Sequence, residues 1–75
     1  PVGKHISKEQ EHELNYWLKK RGFKESKENR TSLVWLIESA KLGLGMPSNE
    51  HLEHAELDKY FEDNKGLWID EFETK

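Results

Sequence analysis

Residues 29 to 45 hold the longest apolar run of an otherwise polar chain, the five consecutive positions Leu33, Val34, Trp35, Leu36 and Ile37. Everything else has to pack around it. Five apolar residues in a row suit a buried strand as well as a helix, so the run alone does not fix the type. The flanks decide. Asn29, Thr31 and Ser32 can each accept a backbone N–H at a helix start; Leu33, Ile37, Ala40 and Leu44 recur at i, i+4, i+7 and i+11; Gly43 and Gly45 can end the helix. The pattern predicts a central helix buried over more than one face.

A chain of 75 residues has room for one domain and buries only a modest fraction of its surface. A second copy would enlarge the core, so a homodimer is expected. Hydrophobic residues make up 33% of the sequence against 36% charged, yet three Trp, three Phe and two Tyr supply enough apolar area to keep it out of the disordered class. The absence of cysteine removes disulfides, thiolate metal sites and thiol nucleophiles. No segment approaches the roughly 18 apolar residues of a membrane span, and no basic segment leads into an apolar stretch at the N-terminus. The expectation is a cytoplasmic protein with no membrane partner.

The net charge of -3 conceals a division. Residues 1–45 carry nine Lys or Arg against six Asp or Glu, a balance of +3, whereas residues 46–75 carry three against nine, a balance of -6. Two accounts fit: a polyanion-facing half joined to a cation-facing half, or a basic half folded against an acidic one.

Along the chain, residues 1–6 suit a brief strand that would need a partner chain to pair with. Ser7-Lys8-Glu9-Gln10 has the spacing of a capping box, opening a first helix with Leu14, Trp17 and Leu18 as its apolar stripe, Gly22 as a left-handed C-cap and Phe23 folding back. Residues 24–28 form a polar connection to the central helix. After it, Gly43-Leu44-Gly45-Met46-Pro47 is the strongest punctuation, and Ser48 or Asn49 can cap a third helix reaching Asn64, with Leu57, Tyr60 and Phe61 on one face. Asn64-Lys65-Gly66 then turns the chain into an acidic, aromatic segment, either a short helix or an extended arm. The fold class expected is all-α: three helices with a short N-terminal strand, and a core of Leu14, Trp17, Leu18, Phe23, Leu33, Val34, Leu36, Ile37, Ala40 and Leu44.

Several chemistries find little support. His51-x-x-His54 puts two imidazoles on neighbouring turns, but no cysteine or nearby third histidine completes a tetrahedral zinc site, and His12-Glu13 is followed by Leu14-Asn15-Tyr16 rather than the zinc-protease pattern. Aligning Gly66 with the glycine of a calcium loop puts Phe61 and Phe72 at ligand positions, where neither can coordinate. Neither a nucleophile, base and orienter arrangement nor a phosphate-binding loop is visible. No enzyme, no metal and no cofactor are expected.

The short N-terminal segment, the Ser7-capped helix closed by Gly22, and the second helix opening at Asn29-Arg30-Thr31-Ser32 and continuing Leu33-Val34-x-x-Ile37 together resemble the ribbon-helix-helix family of dimeric DNA-binding regulators. The resemblance covers roughly residues 2 to 45, and the connection from Gly22 to Asn29 is longer than in compact members. Glu38-Ser39-Ala40-Lys41-Leu42-Gly43-Leu44 is similar to the end of the second helix in antitoxins of this type. What the resemblance implies is a homodimer with paired strands that binds DNA through Lys4, His5 and Lys8, with Asn29 and Arg30 holding a phosphate at a helix N-terminus. It also implies an acidic C-terminal segment, with Tyr60, Phe61, Leu67, Trp68, Ile69 and Phe72, that folds on a basic protein partner. The function expected on this basis is transcription regulation of the antitoxin type.

A second reading belongs to another class: a small acidic helical protein that binds and inhibits or adapts another protein, without nucleic acid. It needs only aromatic anchors among carboxylates, the composition of a hot spot for a basic partner.

Overall fold

The computed structural model describes residues 4–75; Pro1, Val2 and Gly3, expected at the start of the N-terminal strand, lie outside the described residues. The elements run β1 (His5–Ile6), α1 (Glu11–Lys20), α2 (Lys27–Leu44), β2 (Leu52–Glu53), α3 (His54–Asp63) and α4 (Lys65–Trp68), ending in a 3-10 turn over Ile69–Glu71. The expected three helices are therefore four, with a two-stranded sheet added. That sheet corrects a second expectation. β1 finds its antiparallel partner in β2 of the same chain, with His5 opposite Glu53 and Ile6 opposite Leu52.

Helix α1 ends as its sequence requires. Gly22 adopts φ 79°, the left-handed conformation that costs glycine little, and the Phe23 N–H reaches back to the Leu18 carbonyl at 2.8 Å while the Gly22 N–H reaches that of Lys19 at 3.0 Å. Its start lies later than the capping-box spacing suggests. Gln10 precedes the first turn without a side-chain cap, and the Ser7 N–H donates instead to Glu13 Oε1 at 2.6 Å, so Glu13 rather than Gln10 answers Ser7.

Helix α2 likewise starts earlier than expected. Ser26, not Asn29, is the N-cap, its hydroxyl accepting from the Asn29 N–H at 3.1 Å. Ser26 lies in the polar connection expected before the helix, whose last two residues are helical, and Asn29 is not the cap because its amide bonds the backbone of Lys24 and Glu73. Gly45, at φ 71°, closes the helix, with the Met46 N–H on the Lys41 carbonyl at 2.9 Å. Helix α3 begins at His54 rather than near Ser48 or Asn49: a reciprocal cap formed by Glu53 and Glu56 fixes the start, and Leu52 is withdrawn into β2.

One core collects side chains from α1, α2, α3, both strands and the C-terminal segment. Of the ten core positions expected, eight are buried; Val34 is only partly so, and Leu44 is half exposed as the last residue of α2. The core also takes Ile6, Leu52, Leu57, Phe61 and Phe72. Trp17 stands at its centre. Phe61 meets it edge-on at 5.4 Å, Phe23 and Phe72 lie at 6.1 and 5.9 Å, and Phe23 stacks on Phe72 at 5.0 Å.

The end of the chain is docked rather than free. Thr74 bridges Phe23 in antiparallel fashion, the Lys24 N–H donates to the Glu73 carbonyl at 2.9 Å and the Lys75 N–H to the Gly22 carbonyl at 3.3 Å.

Candidate interaction surface

Most polar side chains that the sequence offered for binding are occupied in holding the fold. Asp58 on α3 accepts from Trp17 Nε1 at 2.9 Å, Arg21 Nη2 at 3.2 Å and Lys20 Nζ at 3.3 Å, which pins α3 to α1. Arg21 also bonds Glu62 and lies over the rings of Trp17 and Phe61, its Cζ 5.4 and 5.0 Å from their centroids. Burial works against both charges. The hydrogen bonds outweigh it, holding the Asp58 carboxyl below its ordinary range and the Arg21 guanidinium above its own; Glu62, hydrogen-bonded to Arg21, is also held low. With Lys4 on Glu53 at 3.3 Å and Lys24 near Glu73 at 3.9 Å, these pairs join the basic first half of the chain to its acidic second half.

The five residues expected to contact nucleic acid are each engaged within the protein. Lys4 and His5 both face Glu53, at 3.3 and 3.9 Å, and Lys8 bonds Glu38 at 2.9 Å. Arg30 donates to Asn15 Oδ1 at 3.0 Å and to the Glu25 carbonyl at 3.1 Å, with Glu11 at 3.8 Å. Asn29 is 1% exposed, and its amide bonds the backbone of Lys24 and Glu73.

The six residues expected to contact a protein partner are divided by the fold. Phe61 and Phe72 are core residues, because the acidic segment packs against α1 instead of extending as an arm. Tyr60, Trp68 and Ile69 are partly buried against that core, and Leu67 alone is well exposed, at 78%. Tyr60 lines a small groove with Leu44, Glu56, Lys59 and Asp63.

A further apolar surface lies on α2. Trp35 is 57% exposed and Leu42 82% exposed, although both sit in the helix that supplies most of the core. At about 100° per residue, Leu33, Ile37, Ala40 and Leu44 share one side of α2, and Glu28, Thr31, Trp35, Ser39 and Leu42 share the opposite side. The helix expected to be buried over more than one face thus keeps Trp35 and Leu42, opposite its core stripe, in water.

Trp35 lines two open grooves. One, of about 390 Å³, is lined by Lys27, Glu28, Thr31, Ser32 and Trp35 itself; the other, of about 310 Å³, by Trp35, Leu67, Trp68 and Glu71. Both lie at the lower end of the range of small-molecule pockets. Lys27, Glu28 and Glu71 form no ion pair among the described residues, unlike most charges elsewhere on the chain.

One histidine is unusual. Both ring nitrogens of His54 are shielded from water and have no hydrogen-bond partner, with the Tyr16 ring edge-on at 6.0 Å. Burial holds its pKa below the ordinary imidazole value, opposed by Asp58, reinforced by Lys20, opposed by Glu13 and reinforced by His5.

Among the described residues no helix is long and apolar enough to cross a membrane, and no group of three or more His, Cys, Asp or Glu is placed to hold a metal ion. The chain matches no family model, no curated protein and no solved structure.

Proposed function

We propose that this protein is a polypeptide-binding module whose working surface is the outer stripe of α2, with Trp35 as its anchor and Leu42, Leu67 and Trp68 around it. The observation that carries the reading is the exposure of Trp35, 57% in water on a helix whose other side is buried, where it lines two grooves. An indole standing proud of a rigid helix loses little side-chain freedom on binding and brings a large contact area, which is why tryptophan is enriched among interface hot spots. Helix-borne anchors two turns apart, as Trp35 and Leu42 are, suit recognition of a second helix or a groove.

The engagement of Lys4, His5, Lys8, Asn29 and Arg30 within the fold favours this reading over nucleic-acid binding, since phosphates would have to compete with the carboxylates facing Lys4, His5, Lys8 and Arg30 and with the backbone groups bonded to Asn29. Acidic and basic halves that neutralise each other also leave no need for a polyanion to explain the division of charge.

The test is affinity capture with the full chain and with Trp35→Glu, alongside a gel shift with duplex DNA at low salt. Polypeptides retained by the native chain, lost with Trp35→Glu and kept with the control Lys19→Glu are the expected result. A salt-sensitive DNA shift that survives Trp35→Glu would overturn it and restore the regulator reading.

A further inference from the structure

Buried polar side chains in folded proteins nearly always have a hydrogen-bond partner, and among the described residues His54 is the exception, with both ring nitrogens shielded and unpaired. A neutral imidazole carries one donor and one acceptor. Leaving both unmet costs the fold stability.

The ring sits where three elements meet. His54 is the first residue of α3 and follows β2 directly; its N–H donates to the carbonyl of Lys4, the residue before β1, at 3.0 Å; and its ring meets Tyr16 of α1 edge-on at 6.0 Å. The other ionisable groups that act on it are Glu13 and Lys20 on α1, His5 on β1 and Asp58 on its own helix. Glu53, the residue before it, faces Lys4 and His5.

A proton added to this ring meets carboxylates that are already engaged. Asp58 accepts from Trp17 and Arg21 at Oδ1 and from Lys20 at Oδ2, while Glu13 Oε1 accepts from the Ser7 N–H at 2.6 Å. Lys20 and the positive end of the α3 dipole add repulsion. The imidazolium therefore gains by moving out to water or by drawing Glu13 away from Ser7.

Either move loosens β1. That strand pairs only His5 and Ile6 with β2, and its two flanks are tied by the bonds just named, from the His54 N–H to the Lys4 carbonyl and from the Ser7 N–H to Glu13. Ile6 and Leu52, opposite each other in the pairing, are both fully buried. The aromatic cluster around Trp17 joins α1, α3 and the C-terminal segment without His54.

We propose that His54 is a proton-operated latch: neutral, its ring closes the joint between β1, β2 and α1; protonated, it releases β1 and uncovers Ile6 and Leu52 while the helical core stays folded. The latch is independent of the polypeptide-binding surface on α2.

Hydrogen exchange at single amides of the full chain, from about pH 8 to about pH 5 across the imidazole range, reads the opening when expressed as protection relative to the unfolded rate. An open latch exposes an imidazole titrating near pH 6.5, whereas burial keeps the closed one unprotonated until lower pH, so the open population rises by up to about tenfold per pH unit between the two values. Protection at the Ser7 and His54 amides is expected to fall by that factor, with Phe23 and Arg30, bonded to the Leu18 and Ser26 carbonyls, unchanged. His54→Phe and His54→Gln should each remove the fall at Ser7, and His5→Gln should keep it. Equal loss at Phe23 and Arg30 would overturn the latch in favour of global unfolding. A fall at Ser7 that persists in both His54 variants, or that disappears in His5→Gln, would overturn it by moving the titration elsewhere. Constant protection at Ser7 while the His54 ring signals titrate would overturn it as well, since the ring would then leave without releasing the strand.

Discussion

Asn29 and Glu73, 44 positions apart in sequence, form a reciprocal pair: the Glu73 N–H donates to Asn29 Oδ1 at 3.0 Å, and Asn29 Nδ2 donates to the Glu73 carbonyl at 2.9 Å. The same Nδ2 reaches the Lys24 carbonyl at 2.9 Å, so one buried amide binds the start of α2, the preceding loop and the end of the chain. Residues 72–75 are thereby held against Gly22 and Phe23, which places Phe72 on the aromatic cluster.

Removing that amide should loosen the C-terminus before the rest of the fold. Asn29→Ala leaves the Glu73 N–H and the Lys24 carbonyl without this partner, while the Glu73 carbonyl keeps the Lys24 N–H, and should cost about 1 to 3 kcal/mol. Asn29→Asp should cost more, since a carboxylate would face two carbonyls where the amide now donates. Urea denaturation ranks the two variants, and faster amide exchange at Glu73 and Lys75 would locate the damage.

Position within α2 should separate stability from binding. Ile37, fully buried, should lose about 2 to 5 kcal/mol on truncation to Ala. Trp35→Ala should stay within about 0.5 kcal/mol of the native chain because its side chain faces water, yet weaken binding by more than about 2 kcal/mol if the indole is the anchor. Thermal melts and a binding titration on the same two variants give the comparison.

Acid should act in two stages. His54 is favoured in its neutral form by the fold, so the unfolded chain takes up a proton near pH 6.5 and the folded one only lower; stability falls as the pH drops from about 6.5 through the folded value. Asp58 and Glu62 are held low in the fold, and their contribution, present above ordinary carboxylate values, is lost as the pH falls through their depressed ones. His54→Phe, which keeps an aromatic ring beside Tyr16, should abolish the first stage and leave the second. Melting temperature across a pH series reads both.

The sequence carried the fold where local chemistry and tertiary need agreed. Gly22 and Gly45 ended their helices as expected, and Leu14, Trp17, Leu18, Leu33 and Ile37 were legible from spacing alone. It was silent where a residue's role depends on something far away. Asn29 looked like a cap because nothing nearby reveals that Glu73 needs its amide, and Ile6 lacked a visible partner because Leu52 lies 46 positions on. Phe61 and Phe72 carried the signature of interface aromatics, but a chain this short needs its largest side chains inside. The surface around Trp35 was legible in principle: the periodicity that buries Leu33 and Ile37 turns Trp35 the other way.

Hydroxyl-radical footprinting at residue resolution, on the chain dilute and alone and then at high concentration or in a captured complex, bears most directly on the assignment of this surface. Trp35, Leu42 and Leu67 should be reactive when the chain is dilute and protected when it is bound, with Trp17 unreactive in both states. Unchanged reactivity at Trp35, with protection appearing instead around Lys4, Lys8 and Arg30, would contradict the account.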